Sequence, residues 1–267
     1  MNRQQTLASI IAWAAGESNV RVIALTGSVA RGDVDALSDL DVELYVRDPD
    51  SLLECGTWYE QFGDVLVVEA LPNPGAAPSR LVYYAGGKVD FMVVDVHKMA
   101  SVRHSGPVRV LLDKDQIGTE LSTTPGPAPK VAPSEFAECV HWFWAAILME
   151  AKAIVRNELW TALMIRDVDA KRQLLRMIEW DHKARYGWEV DTWYAGRHLS
   201  EWAEPEILTA LPGCFARFDA TEIAGAILAT TALFRVLAVR TGQALDVPAF
   251  DHERLLTETL TILRTPV

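Results

Sequence analysis

The 267-residue chain is predicted to adopt an α+β fold, with a mixed sheet and helices in its N-terminal half followed by a C-terminal helical bundle. Three observations predict this division. β-Branched, strand-like runs concentrate before residue 115, whereas beyond residue 134 apolar residues recur at the three- and four-residue spacing of helices. Between them, residues 116–134 are rich in Pro, Thr, Ser and Gly, as linkers are. We therefore expect one domain over 1–130 and a helical domain over 131–267.

The N-terminal half opens with a predicted helix. Leu7, Ile10, Ile11 and Ala14 follow helical spacing, which favours an amphipathic helix over a signal peptide. Strands are then predicted wherever a short β-branched or alternating run stops at turn residues. These runs cover residues 20–25, 41–46, 65–70, 81–85, 88–96 and 108–112.

Helical periods dominate the second half. Ser134, with Glu138, lies close to an N-cap pattern and predicts the start of a helix. Two more long helices are predicted over 159–180 and 221–241, the second ending at Gly242. The longest apolar run, 223–234, is shorter than a bilayer span, so no membrane segment is expected.

The composition excludes several classes of protein. The chain carries 36 Asp and Glu against 25 Lys and Arg, a formal charge of -11. This balance argues against nucleic acid as a partner, because phosphate-backbone binding draws on surplus basic residues, and it tolerates a cationic one. The three cysteines have no metal-site spacing, so neither a disulfide framework nor a zinc site is predicted, and we expect a cytoplasmic protein.

The residues that indicate chemistry lie mostly between 26 and 46, in TGSVARGDVDALSDLDVELYV. Gly27 and Ser28 follow a strand and open a probable helix, where free backbone N–H groups favour a phosphate. Asp39 and Asp41 enter the next strand two residues apart, so their carboxylates share one face and suit Mg²⁺. A third acid, Asp90, lies inside an apolar strand, where a charge is costly unless it is paired or bound to metal.

The order strand, Gly-Ser, helix, D-x-D strand and later acid resembles the nucleotidyltransferase superfamily with the polymerase-beta-like fold. A Walker A loop and a Rossmann fingerprint are both absent from the sequence. A narrower resemblance covers roughly residues 1–245. The segments KVDFMVVD, VLLDKD and EFAECVHWFWAAILMEAKAIVRNELWTA look like the aminoglycoside 6-adenylyltransferase (streptomycin adenylyltransferase) family.

This resemblance implies transfer of AMP from ATP to a hydroxyl of an aminoglycoside such as streptomycin, with release of pyrophosphate and antibiotic resistance as the outcome. Asp39 and Asp41 would hold Mg²⁺, with Asp90 as a further metal ligand or as the general base. An acid of the helical domain such as Asp181 is the alternative base. The residues expected to bind the ATP phosphates are Gly27, Ser28, Arg31 and Lys152.

The acceptor is expected at residues 179–202, which are dense in acids and aromatic rings that suit a polycationic sugar. The same rings are equally compatible with a helical core. The candidate acceptor residues are Glu179, Trp180, Asp181, Trp188, Asp191 and Trp193. We expect no nucleic-acid or membrane partner, and either a monomer or a homodimer.

One feature keeps other functions open. The stretch TGSVARGDVDALSDLD resembles the general superfamily form more than that of the usual six-position enzymes, so the acceptor is less defined than the transfer itself. The alternatives are a nucleotidyltransferase that modifies another small hydroxyl compound or a protein, and a non-catalytic interaction module of the same fold. The complete acid triad and the full helical half count against the non-catalytic module.

Overall fold

The structure is a computed structural model that describes residues 2–54, 56–74, 76–104, 106–121 and 130–266. The chain forms two compact units, Met1–Gly126 and Pro127–Val267. The predicted linker lies partly at 122–129, outside the described residues. The α+β class is confirmed: a mixed six-stranded sheet occupies the first unit, and helices make up the second.

The first unit is built on one sheet whose strand order is β3-β4-β5-β2-β1-β6. Neighbouring strands are antiparallel except for β2 and β5, which run parallel. Each predicted strand is confirmed to within two residues at either end. The strands are β1 (Val20–Thr26), β2 (Leu40–Val46), β3 (Val65–Leu71), β4 (Ser79–Tyr84), β5 (Gly87–Asp95) and β6 (Arg109–Asp113).

The two faces of this sheet differ in chemistry because side chains alternate along each strand. On β2, the apolar Leu40, Val42, Leu44 and Val46 join a large buried cluster on one face. The intervening positions point to the opposite face, which is apolar only towards one end, around Tyr45. The helices of this unit are α1 (Arg3–Gly16), the five-residue α2 (Gly27–Arg31) and α3 (Pro49–Glu54).

The second unit packs its helices around a separate core. Phe143 and Phe234 stack at its centre with ring centroids 3.6 Å apart. The helices are α4 (Pro133–Val155), α5 (Leu159–Met164), α6 (Lys171–Tyr186), α7 (Leu199–Trp202), α8 (Pro205–Ala210), α9 (Ala220–Leu245) and α10 (His252–Leu263). A π-helical segment, Ile165–Ala170, joins α5 to α6, so the predicted stretch 159–180 is helical throughout.

Two predicted helix ends are wrong. The first helix of this unit begins at Pro133 rather than being capped by Ser134, because a proline at the first turn already fits a helix start. Helix α9 does not stop at Gly242 but runs on to Leu245, with Asp246 left-handed at its C-cap. Gly242 is buried within the helix, where a Cβ would lie 3.3 Å from Val247 and 3.4 Å from Phe136. The glycine therefore provides close packing, not termination.

Among the described residues, one helix is long and apolar enough by length and composition to cross a membrane, α9. It contains the predicted apolar run 223–234. A core helix passes the same test, and Ile223, Ile227 and Phe234 belong to the core of this unit.

Candidate active site

The polar face of the sheet brings two of the predicted acids side by side. Asp41 on β2 is the direct register partner of Asp90 on the parallel strand β5. Adjacent strands lie about 4.8 Å apart, so both carboxylates start from neighbouring positions on the same face. Thr26, the last residue of β1, is the partner of Asp41 on its other side. Asp41 thus lies between Asp90 and the end of the strand that delivers Gly27.

The Asp41 carboxylate lies directly against the backbone of Gly27. Its φ of +66° lies in the left-handed region, which favours glycine. A Cβ at this position would overlap the Asp41 Oδ2 atom and its carboxyl carbon. Any side chain at residue 27 would therefore displace the Asp41 carboxylate, and this close approach explains the glycine better than the helix that follows. Helix α2 has only five residues, so its dipole contributes little.

Asp39 and Asp90 share a cationic partner that the sequence did not predict. Lys88 Nζ lies 2.9 Å from Asp39 Oδ2 and 3.0 Å from Asp90 Oδ2. Burial raises the pKa of Asp90 above its ordinary value, Lys88 opposes that shift, and Asp41 and Asp39 add to it. Burial alone would lower the pKa of Lys88, but its hydrogen bonds to the two carboxylates outweigh burial and raise it.

The acids have the chemistry of a divalent-metal site. Asp90 Oδ1 is buried and has no hydrogen-bond partner among the described residues, and Asp41 is held against the Gly27 backbone. Carboxylate oxygens are the donors that Mg²⁺ prefers. No three acidic, His or Cys side chains of the described residues are already arranged around a common metal position, and the Lys88 ammonium lies between Asp39 and Asp90. The carboxylates of Asp39, Asp41 and Asp90 therefore fit Mg²⁺ as ligands, and the Lys88 ammonium competes with the ion for two of them.

A further buried carboxylate lies next to Asp41 on the same face of β2. Glu43, two residues after Asp41 on β2, is 5% exposed. It accepts a hydrogen bond of 2.6 Å from the Tyr45 hydroxyl, and its oxygens lie 3.0 and 3.1 Å from His104 Nε2. The sequence pattern could have indicated Glu43, because it continues the alternation of Asp39 and Asp41; nothing local indicates His104.

A cavity of about 1010 Å³ opens on this face within the first unit. Thr26, Gly27 and Glu43 line it, together with the basic side chains of Arg31, Lys98 and Arg103 and of His104. Its size exceeds that of many small-molecule sites, and its basic residues suit a phosphorylated ligand. Two of the predicted phosphate residues, Gly27 and Arg31, thus line the cavity, and Ser28 follows Gly27 in α2.

The predicted acceptor residues divide into interior and surface positions of the helical unit. Trp180 is 8% and Asp181 1% exposed, and Arg240 binds the Asp181 carboxylate at 2.6 and 2.5 Å. Burial raises the pKa of Glu179, the preceding residue on α6. Asp181 therefore already has a cationic partner inside the protein, and Trp180 belongs to the core.

The remaining acceptor candidates follow α6. Trp188 is partly buried and packs against the core, whereas Asp191 is exposed. The Asp191 carboxylate accepts a 2.8 Å hydrogen bond from the backbone N–H of Trp193, whose ring lies 4.5 Å from that of His198. Lys152, the predicted phosphate ligand from this unit, is exposed on α4. These assignments stay predictions.

Comparison with known proteins places the chain in a family. The model of the streptomycin adenylyltransferase family matches residues 1–257. An aminoglycoside 6-adenylyltransferase of Bacillus subtilis (strain 168) is 24% identical over 275 residues, which cover 94% of each chain. One of Staphylococcus aureus is 28% identical over 180 residues, covering 61% of this chain and 63% of the relative.

A solved structure agrees on the fold. The crystal structure of an aminoglycoside 6-adenyltransferase from Bacillus subtilis superposes with a TM-score of 0.51 at 19% identity, covering 99% of this chain and 100% of that one. The matching family model spans both units, including the strands that carry Asp41 and Asp90. The chain belongs to the streptomycin adenylyltransferase family and is a nucleotidyltransferase.

Proposed function

We propose that this protein transfers AMP from ATP to a hydroxyl of an aminoglycoside, with streptomycin as the first acceptor to test, and releases pyrophosphate. The observation that carries the proposal is the pairing of Asp41 with Asp90 beside the Gly27 turn, in a chain whose relatives are named aminoglycoside 6-adenylyltransferases. In a host cell this modification would give resistance to the antibiotic.

Each acid has a distinct task in this proposal. Asp39 and Asp41, with Asp90 Oδ2, would hold Mg²⁺ against the ATP phosphates. The metal, when bound, would neutralise charge on the triphosphate and on the departing pyrophosphate. Asp90 Oδ1, buried and without a partner among the described residues, accepts the proton of the attacking hydroxyl.

The substrates meet groups of opposite charge. Arg31, Lys98 and Arg103 on the cavity wall bind the polyphosphate, and Lys152 is the proposed phosphate ligand of the helical unit. For the acceptor, exposed Asp191 provides a carboxylate for ammonium or guanidinium groups, and Trp193 provides a flat ring for the sugar. Asp181 and Trp180 support this region from inside the unit rather than binding the acceptor directly.

The test is incubation of the purified chain with ATP, Mg²⁺ and a panel of aminoglycosides, followed by mass spectrometry for the added mass of AMP and by a pyrophosphate assay. We expect Asp41→Asn to lower turnover by about 10³-fold, because several kcal/mol of charge stabilisation are lost. Asp64→Asn, the same change at an exposed position of the same unit, is the control. Adenylylation only of a different hydroxyl compound would refute the aminoglycoside assignment; no AMP transfer to any acceptor would refute the enzyme itself.

A further inference from the structure

Lys88 directly contacts two of the proposed metal ligands, Asp39 and Asp90. It lies on β5 two residues before Asp90, so both side chains project from the same face of the strand. Its ammonium contacts one oxygen of Asp39 and one of Asp90, and its side chain is only 17% exposed. Asp39 and Asp90 are therefore both paired with this lysine.

This pairing has an electrostatic reason. Three carboxylates on neighbouring positions repel one another, and burial of Asp90 strengthens that repulsion. One ammonium between two of them offsets part of the cost. A divalent ion bound by the same oxygens would lie within a few ångström of the Lys88 ammonium, and two cations that close repel each other. The Lys88 ammonium and a divalent ion therefore cannot both contact these carboxylate oxygens at the same time.

Lys88 has a second partner, the ring of Tyr83, with which its ammonium can stay in contact after it leaves the carboxylates. Tyr83 is its register partner on β4, and Nζ already lies 5.6 Å from the centre of the Tyr83 ring. This distance is within the range in which an aromatic face attracts an ammonium group. A small rotation of the lysine side chain away from the acids would keep that contact, so release from the carboxylates does not leave the charge without a partner.

We propose that Lys88 is an internal counterion that occupies the acid cluster in the metal-free protein and is displaced when the divalent ion binds, so that it sets the metal concentration at which the site fills. The inference rests on the proposed function, because it takes the acids as the metal site. Before the ion binds, Lys88 holds Asp39 and Asp90 in place through its contacts to their carboxylates, and it has no part in the proposed chemical step.

The test measures metal binding directly, with Mn²⁺ titrated into the full-length metal-free protein and free Mn²⁺ followed by electron paramagnetic resonance. Lys88→Met keeps the length of the side chain and removes its charge, so we expect Mn²⁺ to bind about tenfold more tightly or better. Lys88→Arg retains the charge and should bind Mn²⁺ no more tightly than the wild type. Lys114→Met is the matched control: it removes a lysine of the same unit whose Nζ donates to the Glu17 carbonyl, and it should leave Mn²⁺ affinity unchanged.

Thermal unfolding supplies the second measurement. In chelator at low salt, Lys88→Met should unfold at a lower temperature than the wild type, and Mn²⁺ should raise its unfolding temperature by more. Lys88→Gln serves if the methionine variant does not fold. Equal or weaker Mn²⁺ affinity in the uncharged variants would overturn the role of Lys88 while leaving the metal site intact. Absence of Mn²⁺ binding in both the wild type and the variants would overturn the metal site and this inference together.

Discussion

At the scale of single residues, Gly27 makes the acid site possible. Its left-handed backbone and the absence of a Cβ let the Asp41 carboxylate lie directly against the chain. The same carboxylate is flanked by Asp90 through the strand register. One backbone position thus fixes where the carboxylate of a proposed metal ligand points, which explains why the Gly-Ser turn and the D-x-D strand occur together.

Gly27→Ala should therefore impair catalysis far more than folding. The added Cβ overlaps Asp41, so the carboxylate must move, and a displaced metal ligand is expected to lower kcat/KM by about 100-fold. The strain of a left-handed alanine should cost only about 1–2 kcal/mol in the free energy of unfolding. Steady-state kinetics and urea unfolding measure the two effects.

Gly32→Ala is the control for this prediction. Gly32 also has a left-handed backbone, with φ of +84°, but a Cβ there meets no atom of the described residues within 4 Å. Gly32→Ala should lower the free energy of unfolding by about as much as Gly27→Ala does, and it should keep most of the activity. If both variants lose activity equally, the fit between Gly27 and Asp41 is not what matters for catalysis.

At the scale of elements, helix α10 is fixed to α4 through a neutral histidine. Trp144 Nε1 donates to His252 Nδ1 at 2.9 Å, and His252 is 6% exposed. Burial, with nearby Arg235 acting in the same direction, lowers the pKa of His252 to about 4. An imidazole that accepts this hydrogen bond through Nδ1 must lack a proton on that atom, so protonation and the α4–α10 contact oppose each other.

Stability should consequently depend on pH. The unfolded chain takes up a proton on His252 at a pKa of about 6.5, whereas the folded chain does so only near 4, so stability is present above 6.5 and is lost as the pH falls towards 4. The expected loss is on the order of 2 kcal/mol. Urea unfolding at a series of pH values between 4.5 and 7.5 would measure it.

His252→Asn gives the comparison, because its amide oxygen can replace Nδ1 as the acceptor for Trp144 without titrating. The pH dependence should flatten in this variant and persist in His97→Asn, which changes an exposed histidine. A wild-type slope that survives in His252→Asn would assign the effect to other groups.

The strands of the first unit were easier to predict from the sequence than the contacts that side chains make between elements. All six strands were predictable, because β-branched runs and alternation are local signals. The places of Asp41 and Asp90 on strands could likewise be predicted, whereas Asp39 lies one residue before β2. Lys88 and His104 could not be identified, because their contacts depend on which strand or loop lies opposite, and no local pattern encodes that.

Buried pairs in the helical unit illustrate the same limit. Arg166, in the π-helical segment, is 1% exposed and pairs with Glu150 of α4, which is fully buried. Arg166 also donates to the backbone carbonyls of Cys214 and Ile223. Burial raises the pKa of Glu150 to about 7, with Arg166 opposing the shift. Such a group cannot be told from a surface charge in the sequence until its distant partner is known. Asp181, predicted as an acceptor residue or alternative base, is likewise buried against a distant partner, Arg240.

At the scale of the whole molecule, charge and family point to the same kind of acceptor. The chain has a formal charge of -11, and part of this charge is the acid site of the first unit. The rest is spread over both units and favours a polycation by long-range attraction rather than by specific contact. Under the proposed function, specificity for one aminoglycoside would come from shape and from a few placed groups, for which Asp191 and Trp193 are the proposed residues.

The two units each have a hydrophobic core of their own, so we predict that each can fold alone. The helical unit buries a continuous cluster that includes the stacked Phe143 and Phe234. The first unit buries another on the apolar face of its sheet. Both units fall within the usual size range of independent domains.

The measurement is circular dichroism and urea unfolding of two fragments, residues 1–126 and 127–267. The second fragment should give a strongly helical spectrum and a single cooperative transition, because α4, α6, α9 and α10 all contribute to its cluster. The first fragment should retain Mn²⁺ binding, since Asp39, Asp41, Asp90 and Lys88 all lie within it. A helical fragment that unfolds without a cooperative transition would show that its core depends on the rest of the chain, and the domain boundary predicted from the sequence near residue 130 would then mark a change in composition only.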